Sequence, residues 1–255
     1  MLQNMRSLLI TGANRGIGLE LVKQFLKHPS AKPEILIATA RKPNEAKELQ
    51  ELASQDKTLH ILPLDVTKFD LFKDFVKSVS GIVGEKGLNV LFNNAGILLD
   101  KDAKLDSVTV ESLTTQFTSN TVAPIILTKE LLPLVKKAAL SSSGGISIDR
   151  AALVYMSSVL GSVKSNEGPY GGGYWGYRES KAALDIAART ICKEVSPDGI
   201  GVLVLHPGWV QTDMGGPNAL ITTSQSVQGL IKVILSLSDK TNGAFIQHDG
   251  ATLPW

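Results

Sequence analysis

The chain has 255 residues, a hydrophobic content of 43%, a charged content of 20% and a formal net charge of +2. The apolar fraction suffices for a large buried core and excludes a chain too polar to collapse. The nearly balanced charge argues against a nucleic-acid partner, which would need a basic excess clustered on one face.

Cysteine content and the N-terminus indicate the compartment. The single cysteine, Cys192, can form neither an internal disulfide nor a zinc site of thiolates, and no metal site is predicted. The N-terminus lacks the features of a signal peptide, and no apolar run approaches the roughly 20 residues that span a bilayer. We therefore expect a soluble cytoplasmic protein with no membrane partner.

Short β-rich apolar runs alternate with amphipathic stretches along the chain. The predicted strands are Ser7–Thr11, Ile35–Thr39, Leu59–Leu64, Val90–Asn93, Leu153–Ser157, Gly201–His206 and Ala244–Ile246. The predicted helices are Gly16–Lys27, Asn44–Ser54, Asp70–Val83, Asp106–Thr118, Thr121–Ala139, Tyr174–Val195 and Ser224–Leu237. This alternation predicts an α/β fold: a Rossmann-type, doubly wound parallel sheet of about seven strands with helices on both faces. No linker divides the chain, so residues 1–255 are expected to form one domain.

A glycine-rich turn joins the first predicted strand to the first predicted helix. Gly12 allows a tight turn, Gly16 lets the backbone approach a pyrophosphate, and Gly18 lets the helix pack against the strand. The helix N-terminus then offers free N–H groups to phosphate. The spacing departs from the G-x-G-x-x-G fingerprint, and an ordinary glycine turn is the alternative. The candidate cofactor-binding residues here are Gly12, Asn14, Arg15, Gly16, Ile17 and Gly18.

The end of the second strand indicates which dinucleotide binds. An NAD site needs an acid there to bind the ribose 2′-hydroxyl, but the sequence continues Ala40-Arg41-Lys42. Arg41 suits a 2′-phosphate, and Arg15 is predicted to clamp the same group. The alternative is that Arg41 and Lys42 are a solvated loop pair. We predict NADPH or NADP+ as the cofactor.

A tyrosine and a lysine lie four residues apart in a predicted helix. Tyr177 and Lys181 therefore share one helix face. A nearby ammonium is expected to lower the phenol pKa from about 10, so that the phenol exchanges a proton with a carbonyl or alcohol oxygen. Tyr155, Tyr170 and Tyr174 have no lysine at that spacing. The alternative is a packed ring beside a solvated lysine stem.

Polar residues follow the ends of the predicted central strands, where ligands bind in parallel sheets. One serine of the pair Ser157 and Ser158 can stabilise a substrate oxygen, although both can also be turn serines. Asn120 is predicted to disturb the helix before Pro124 and hold a water. The remaining strand-end candidates for cofactor contacts are Asn93, Ala95 and Gly96, then Pro207, Gly208, Val210 and Thr212, which would hold the nicotinamide carboxamide.

In this order, the segments resemble the short-chain dehydrogenase/reductase family across nearly the whole chain. The matching pieces are Thr11–Gly18, Asp65, Asn93–Gly96, Asn120, Ser158, Tyr177 with Lys181, Pro207-Gly208 and Thr212. The runs Asn89–Gly96, His206–Val210, Thr212–Gly216 and Asp249–Trp255 look most like the sniffer-type carbonyl reductases and C-factor-like proteins.

The resemblance implies roles for these residues. Tyr177 would be the acid or base, Lys181 would bind the nicotinamide ribose, and Ser158 would orient the substrate carbonyl. Asn120 would anchor a relay water. For the adenosine half of the cofactor, Asp65 and Val66 would border the adenine, and Asn93 would contact the ribose.

The implied activity is NADPH-dependent reduction of a small carbonyl or quinone. Two alternatives stay open: an NADP-linked alcohol or steroid dehydrogenase working oxidatively, and a non-catalytic NADP-binding signalling protein. A homodimer is also possible, because Thr121–Ala139 and Tyr174–Val195 correspond to the helices that pair in family dimers.

One departure from the family pattern lies between Ser158 and Tyr177, where the gap is longer than in most members. The extra residues include the glycine-rich Asn166–Gly173. We predict that this insertion borders the active-site mouth as a lid or wall, the alternative being a surface loop without a role. The short loop after Thr212 favours an open site for compact substrates.

Overall fold

The computed structural model describes residues 5–99, 101–167 and 171–255. One seven-stranded parallel sheet has the order β3-β2-β1-β4-β5-β6-β7. The strands are β1 (Ser7–Ile10), β2 (Ile35–Ala40), β3 (Leu59–Pro63), β4 (Val90–Asn93), β5 (Ala152–Met156), β6 (Gly201–His206) and β7 (Ala244–Gln247). The predicted Rossmann-type, doubly wound sheet is confirmed.

Helices cover both faces of this sheet. They are α1 (Gly16–Lys27), α2 (Lys47–Gln55), α3 (Phe72–Val83), α4 (Val110–Phe117), α5 (Ala123–Leu140), α6 (Tyr177–Val195) and α7 (Thr223–Leu235). The apolar faces of α1, α2 and α7 pack on one side, and those of α3, α5 and α6 on the other. Leu8 and Ile10 of β1 belong to the first core and Leu9 to the second. Burial of both strand faces explains why the strands read as near-continuous apolar runs.

Several predicted helix starts differ from the structure by a few residues, and two of them have a clear cause. The second helix begins at Lys47, because a short 3₁₀ turn occupies Pro43–Glu45. The helix carrying the tyrosine begins at Tyr177 rather than Tyr174. Tyr174 and Gly176 have φ values of 54° and 79°, which lie in the left-handed region and cannot continue a right-handed helix.

The predicted gap between the fourth and fifth helices is a helical distortion instead. A π-helical turn, Thr118–Val122, joins α4 directly to α5. The N-terminus of α4 is set by Thr109, whose side chain accepts a hydrogen bond from the Ser112 N–H at 3.1 Å. Such an inserted π turn often marks a functional site.

Within the described residues, no helix combines the length and the apolar character that crossing a bilayer requires.

Candidate active site

The sheet order creates a crevice between β1 and β4. The chain proceeds from β1 outwards to β2 and β3, then returns to β4 and continues outwards on the other side. Loops leave the carboxyl ends of β1 and β4 in opposite directions, which is the arrangement that opens a ligand crevice in parallel sheets. The glycine-rich turn, the asparagines after β4 and the loops after β5 and β6 all lie at this edge.

The glycine-rich turn is shaped by close backbone contacts. Gly12 has a φ of 65°, which favours glycine. A Cβ atom on Gly18 would overlap the Gly12 carbonyl oxygen and lie 2.6 Å from Asn94 Nδ2. No side chain caps the N-terminus of α1 at Arg15. The turn therefore brings the helix close to β1 and leaves its N-terminal dipole free to attract an anion.

The two arginines predicted to select the cofactor have different surroundings. Arg15 donates to Asp213 Oδ2 at 2.6 Å, linking the glycine-rich turn to the loop after β6. Arg41 is exposed at the end of β2, and its charge helps to lower the pKa of Asp65. Burial opposes that lowering, but hydrogen bonds from Thr67 outweigh it. The Arg15 guanidinium is thus engaged elsewhere, and a joint clamp with Arg41 stays a prediction.

The asparagines after β4 fix neighbouring strand ends. Asn94 Nδ2 donates to the carbonyl oxygens of Thr11 at 2.8 Å and Gly12 at 3.2 Å. Thr11 Oγ1 accepts in return from the N–H groups of Asn94 and Ala95, both at 3.0 Å. Asn93 is buried, and its Nδ2 donates to Thr128 Oγ1 at 3.3 Å. A narrow cleft beside these strand ends is lined in part by Val66, Asn93 and Ala95.

Asn120 lies within the π-helical turn and faces the same edge. Its Oδ1 accepts from the Ile97 N–H at 2.8 Å, and its Nδ2 donates to Ile97 O at 2.9 Å and Ser180 Oγ at 3.0 Å. A Cβ on Gly96 would be 3.1 Å from Asn120 Oδ1 and 3.4 Å from Lys181 Nζ. The distortion therefore brings Asn120 next to Lys181 across a glycine.

Tyr177, Ser158 and Lys181 meet at the start of α6. Ser158 lies beside the Tyr177 phenol, close enough to lower its pKa, and its Oγ accepts from the Leu160 N–H at 3.2 Å. Lys181 Nζ donates to the Met156 carbonyl oxygen at 2.8 Å and lies 5.7 Å from the centre of the Tyr177 ring. Tyr177 is 8% exposed and Lys181 is 3% exposed. The serine beside the phenol is Ser158, and not its neighbour Ser157.

Burial controls the titration of this cluster. It raises the pKa of Tyr177 to about 12, although the nearby Ser158 hydroxyl opposes the rise and the charge of Asp185 adds to it. Burial also lowers the pKa of Lys181, against the opposing charge of Asp185. The pKa of Tyr177 in this structure therefore lies above its ordinary value and not below it as expected, because desolvation of the phenolate dominates.

The loop after β6 is held by contacts of its own. Pro207 O accepts from Ser226 Oγ at 2.6 Å, and Val210 pairs with Ile221 in an isolated bridge. Thr212 Oγ1 accepts from the Gly215 N–H at 3.0 Å. A Cβ on Gly16 would be 3.4 Å from Thr212 Cγ2. The loop predicted to hold the nicotinamide thus lies against the glycine-rich turn.

Part of the predicted insertion Asn166–Gly173 lies outside the described residues, namely positions 168–170. Of the remainder, Gly172 N–H donates to Asn166 Oδ1 at 2.9 Å. Arg178, in the first turn of α6, donates to the carbonyl oxygens of Gly172 and Gly173 at 3.0 and 3.2 Å. The described end of the insertion is therefore anchored one residue from Tyr177, and its role at the mouth stays a prediction.

Two residues near this cluster escaped the sequence analysis. Gln116 is buried; it donates to Trp175 O at 3.0 Å and accepts from the Leu99 N–H at 3.1 Å, linking the loops after β4 and β5. Asp185 is buried behind Lys181. The sequence carried a signal for Asp185: it follows Lys181 by four residues, the same spacing that separates Tyr177 from Lys181.

The family of the chain follows from comparison with known proteins. A family model described as short chain dehydrogenase matches residues 6–220. The chain belongs to the short-chain dehydrogenase family. The resemblance predicted from the motifs is thereby confirmed.

Solved structures and curated relatives place it near carbonyl reductases. It is similar to carbonyl reductase Sniffer of D. melanogaster, with 43% identity, a TM-score of 0.94, and coverage of 99% of this chain and 100% of that chain. An NADPH-bound carbonyl reductase from chicken fatty liver has 40% identity, a TM-score of 0.93 and the same coverage. The protein C-signal of Myxococcus xanthus is 35% identical over 168 residues, which cover 66% of this chain and 93% of that protein. The NADPH in the chicken structure agrees with the predicted cofactor.

Proposed function

We propose that this oxidoreductase is an NADPH-dependent carbonyl reductase in which Tyr177 donates a proton to the substrate oxygen. The observation that supports this most is the convergence of Ser158 and Lys181 on the buried Tyr177 phenol. Its position at the carboxyl edge of the sheet, beside the crevice, supports it further. The similarity to carbonyl reductases over nearly the whole chain is consistent with that reaction type.

The residues at the crevice fit a dinucleotide. A side chain at Gly12 would press on Ala95 and one at Gly18 on Gly12 O, so these glycines keep the turn tight, and no side chain caps the N-terminus of α1. Arg41, with no acid at the end of β2, suits a 2′-phosphate. When bound, NADPH supplies the hydride that reduces the carbonyl carbon. The residues that would hold it are those of the glycine-rich turn, Arg41, Asp65, Val66, Asn93, Ala95, Gly96, Tyr177, Lys181, Pro207, Gly208, Val210 and Thr212.

The resting protonation state of Tyr177 suits the proton donation that carbonyl reduction requires. With its pKa raised to about 12, Tyr177 stays protonated across the neutral range and is ready to donate. Oxidation would require a phenolate at rest, which burial disfavours. Ser158, which lies beside the phenol, is placed to contact the same substrate oxygen and stabilise the charge that develops on it.

The mouth of the site favours a compact, flat substrate. Trp209, 49% exposed, and the partly exposed Leu99 and Met214 offer apolar surface on the loops after β6 and β4. Lys101 donates to Met214 O, joining these loops across the crevice. Apolar walls around a few polar groups are typical of small-molecule pockets. We infer that aromatic carbonyls or quinones are the substrate class.

Substitution of the proposed acid tests this function. Tyr177→Phe should lower kcat for carbonyl reduction by about 10²-fold or more, because it removes the proton donor, while NADPH binding measured by fluorescence stays close to wild type. Tyr174→Phe is the matched control, since it removes a phenol three residues away. If Tyr177→Phe retains full kcat, the assignment of the acid is wrong.

A further inference from the structure

A buried carboxyl group lies behind the proposed catalytic lysine. Asp185 is on α6, one turn after Lys181, and is only 4% exposed. Within the described residues, neither carboxylate oxygen has a hydrogen-bond partner of normal geometry. Ser157, at the end of β5, is close enough to lower the Asp185 pKa, but its own Oγ also lacks a partner of normal geometry. Burying a carboxyl in this way is costly unless a charge compensates it.

The compensating charge is the ammonium of Lys181. Burial raises the pKa of Asp185, and the charge of Lys181 opposes that rise. Burial lowers the pKa of Lys181, and the charge of Asp185 opposes that fall. Each group therefore favours the charged form of the other. Lys181 and Tyr177 are the titratable groups that interact with Asp185 in the described part of the chain, and Ser157, directly after β5, contributes a hydroxyl.

Burying the Asp185 carboxylate costs desolvation free energy. A neutral side chain of the same shape would avoid that cost, but it would also leave the Lys181 ammonium buried without its counter-charge. Asp185 lies one turn beyond Lys181 and two turns beyond Tyr177 on α6, and its charge acts on both groups. Removing this charge therefore lowers the pKa of Lys181 and of Tyr177, and both effects act in the same direction on the pair.

We propose that Asp185 is a positioning residue that keeps the Lys181 ammonium charged next to Tyr177, so that this pair sets the alkaline limit of the reaction. The inference rests on the proposed function for its kinetic consequence. The effect of Asp185 on the protonation state of Lys181 can be measured without turnover.

The test uses Asp185→Asn, which keeps the shape and removes the charge. We expect near wild-type kcat/KM for carbonyl reduction in mildly acidic buffer. The alkaline limb of the pH profile should shift to lower pH by about one pH unit or more. At the midpoint of the wild-type limb this is a loss of several-fold to about tenfold. Glu194→Gln, an exposed residue on the same helix, is the matched control and should leave the limb in place.

A second measurement needs no substrate. In protein labelled with [13C]lysine, the Cε resonance that disappears in Lys181→Met reports Lys181. Its titration should move to lower pH in Asp185→Asn and stay unchanged in Glu194→Gln. An unmoved titration overturns the inference, and so does a moved titration with an unmoved kinetic limb. If the wild type reduces no carbonyl, the proposed function fails, while the lysine titration still decides whether Asp185 keeps Lys181 charged.

Discussion

The close approach of the glycine-rich turn to β4 makes Gly18 the most sensitive position of the proposed cofactor site. In Gly18→Ala, the new Cβ would overlap Gly12 O and lie 2.6 Å from Asn94 Nδ2. Neither neighbour can move freely, because Asn94 also bonds Thr11 O. The turn must therefore shift, and overpacking of this kind costs about 1–3 kcal/mol. For a chain of this size, the melting temperature should fall by roughly 2–4 °C per kcal/mol.

The same shift displaces the backbone that would contact the pyrophosphate. We expect the Kd for NADPH to rise by about tenfold or more, equivalent to at least about 1.4 kcal/mol. Thermal unfolding with and without NADPH, together with fluorescence titration, measures both effects. Gly81→Ala is the control: Gly81 lies in α3, has nothing near its Cβ position, and should gain up to about 1 kcal/mol of stability. Wild-type affinity and stability in Gly18→Ala would refute the argument.

Further predictions concern three other residues. Arg41→Asp should shift the ratio of kcat/KM values from NADPH towards NADH, since a carboxylate repels a 2′-phosphate; a persisting NADPH preference would show that another group binds that phosphate. Ser158→Ala should lower kcat by about 10²-fold, whereas equal loss in Ser157→Ala would count against the assignment of Ser158. Burial and the charge of His248 lower the pKa of His206 to about 4, against the opposing charge of Asp249. The folded state therefore binds fewer protons than the unfolded state, and about 3 kcal/mol of stability should be lost as the pH falls from about 6.5 to about 4. Denaturant titrations should show a shallower loss in His206→Gln, and identical slopes would contradict this explanation.

Hydrophobic patterning predicted the sheet well, because both faces of each central strand are buried. Val202–Leu205 is a continuous apolar run, and β6 is buried along its whole length. Helix starts were less predictable. Tyr174 fits the helical pattern, but its φ of 54° depends on the loop that precedes α6, which no local signal in the sequence specifies.

The candidate site was predictable as a set of positions, but its electrostatics were not. The spacing of Tyr177 and Lys181 correctly placed them one turn apart. The direction of the Tyr177 pKa shift was wrong, because its burial depends on packing that the sequence does not reveal. The side-chain partner of Arg15 was missed for a similar reason: Asp213 is distant in sequence and comes close only through the loop after β6.

The most direct test is to mix the wild-type protein with NADPH and a panel of quinones, dicarbonyls and aromatic aldehydes, and to follow consumption of the reduced cofactor. We expect NADPH to be oxidised in proportion to the alcohol or hydroquinone formed, with at least one compound of the panel as a good substrate. Tight NADPH binding without consumption for every compound would contradict the proposed reductase and indicate a protein that binds the cofactor without catalysis.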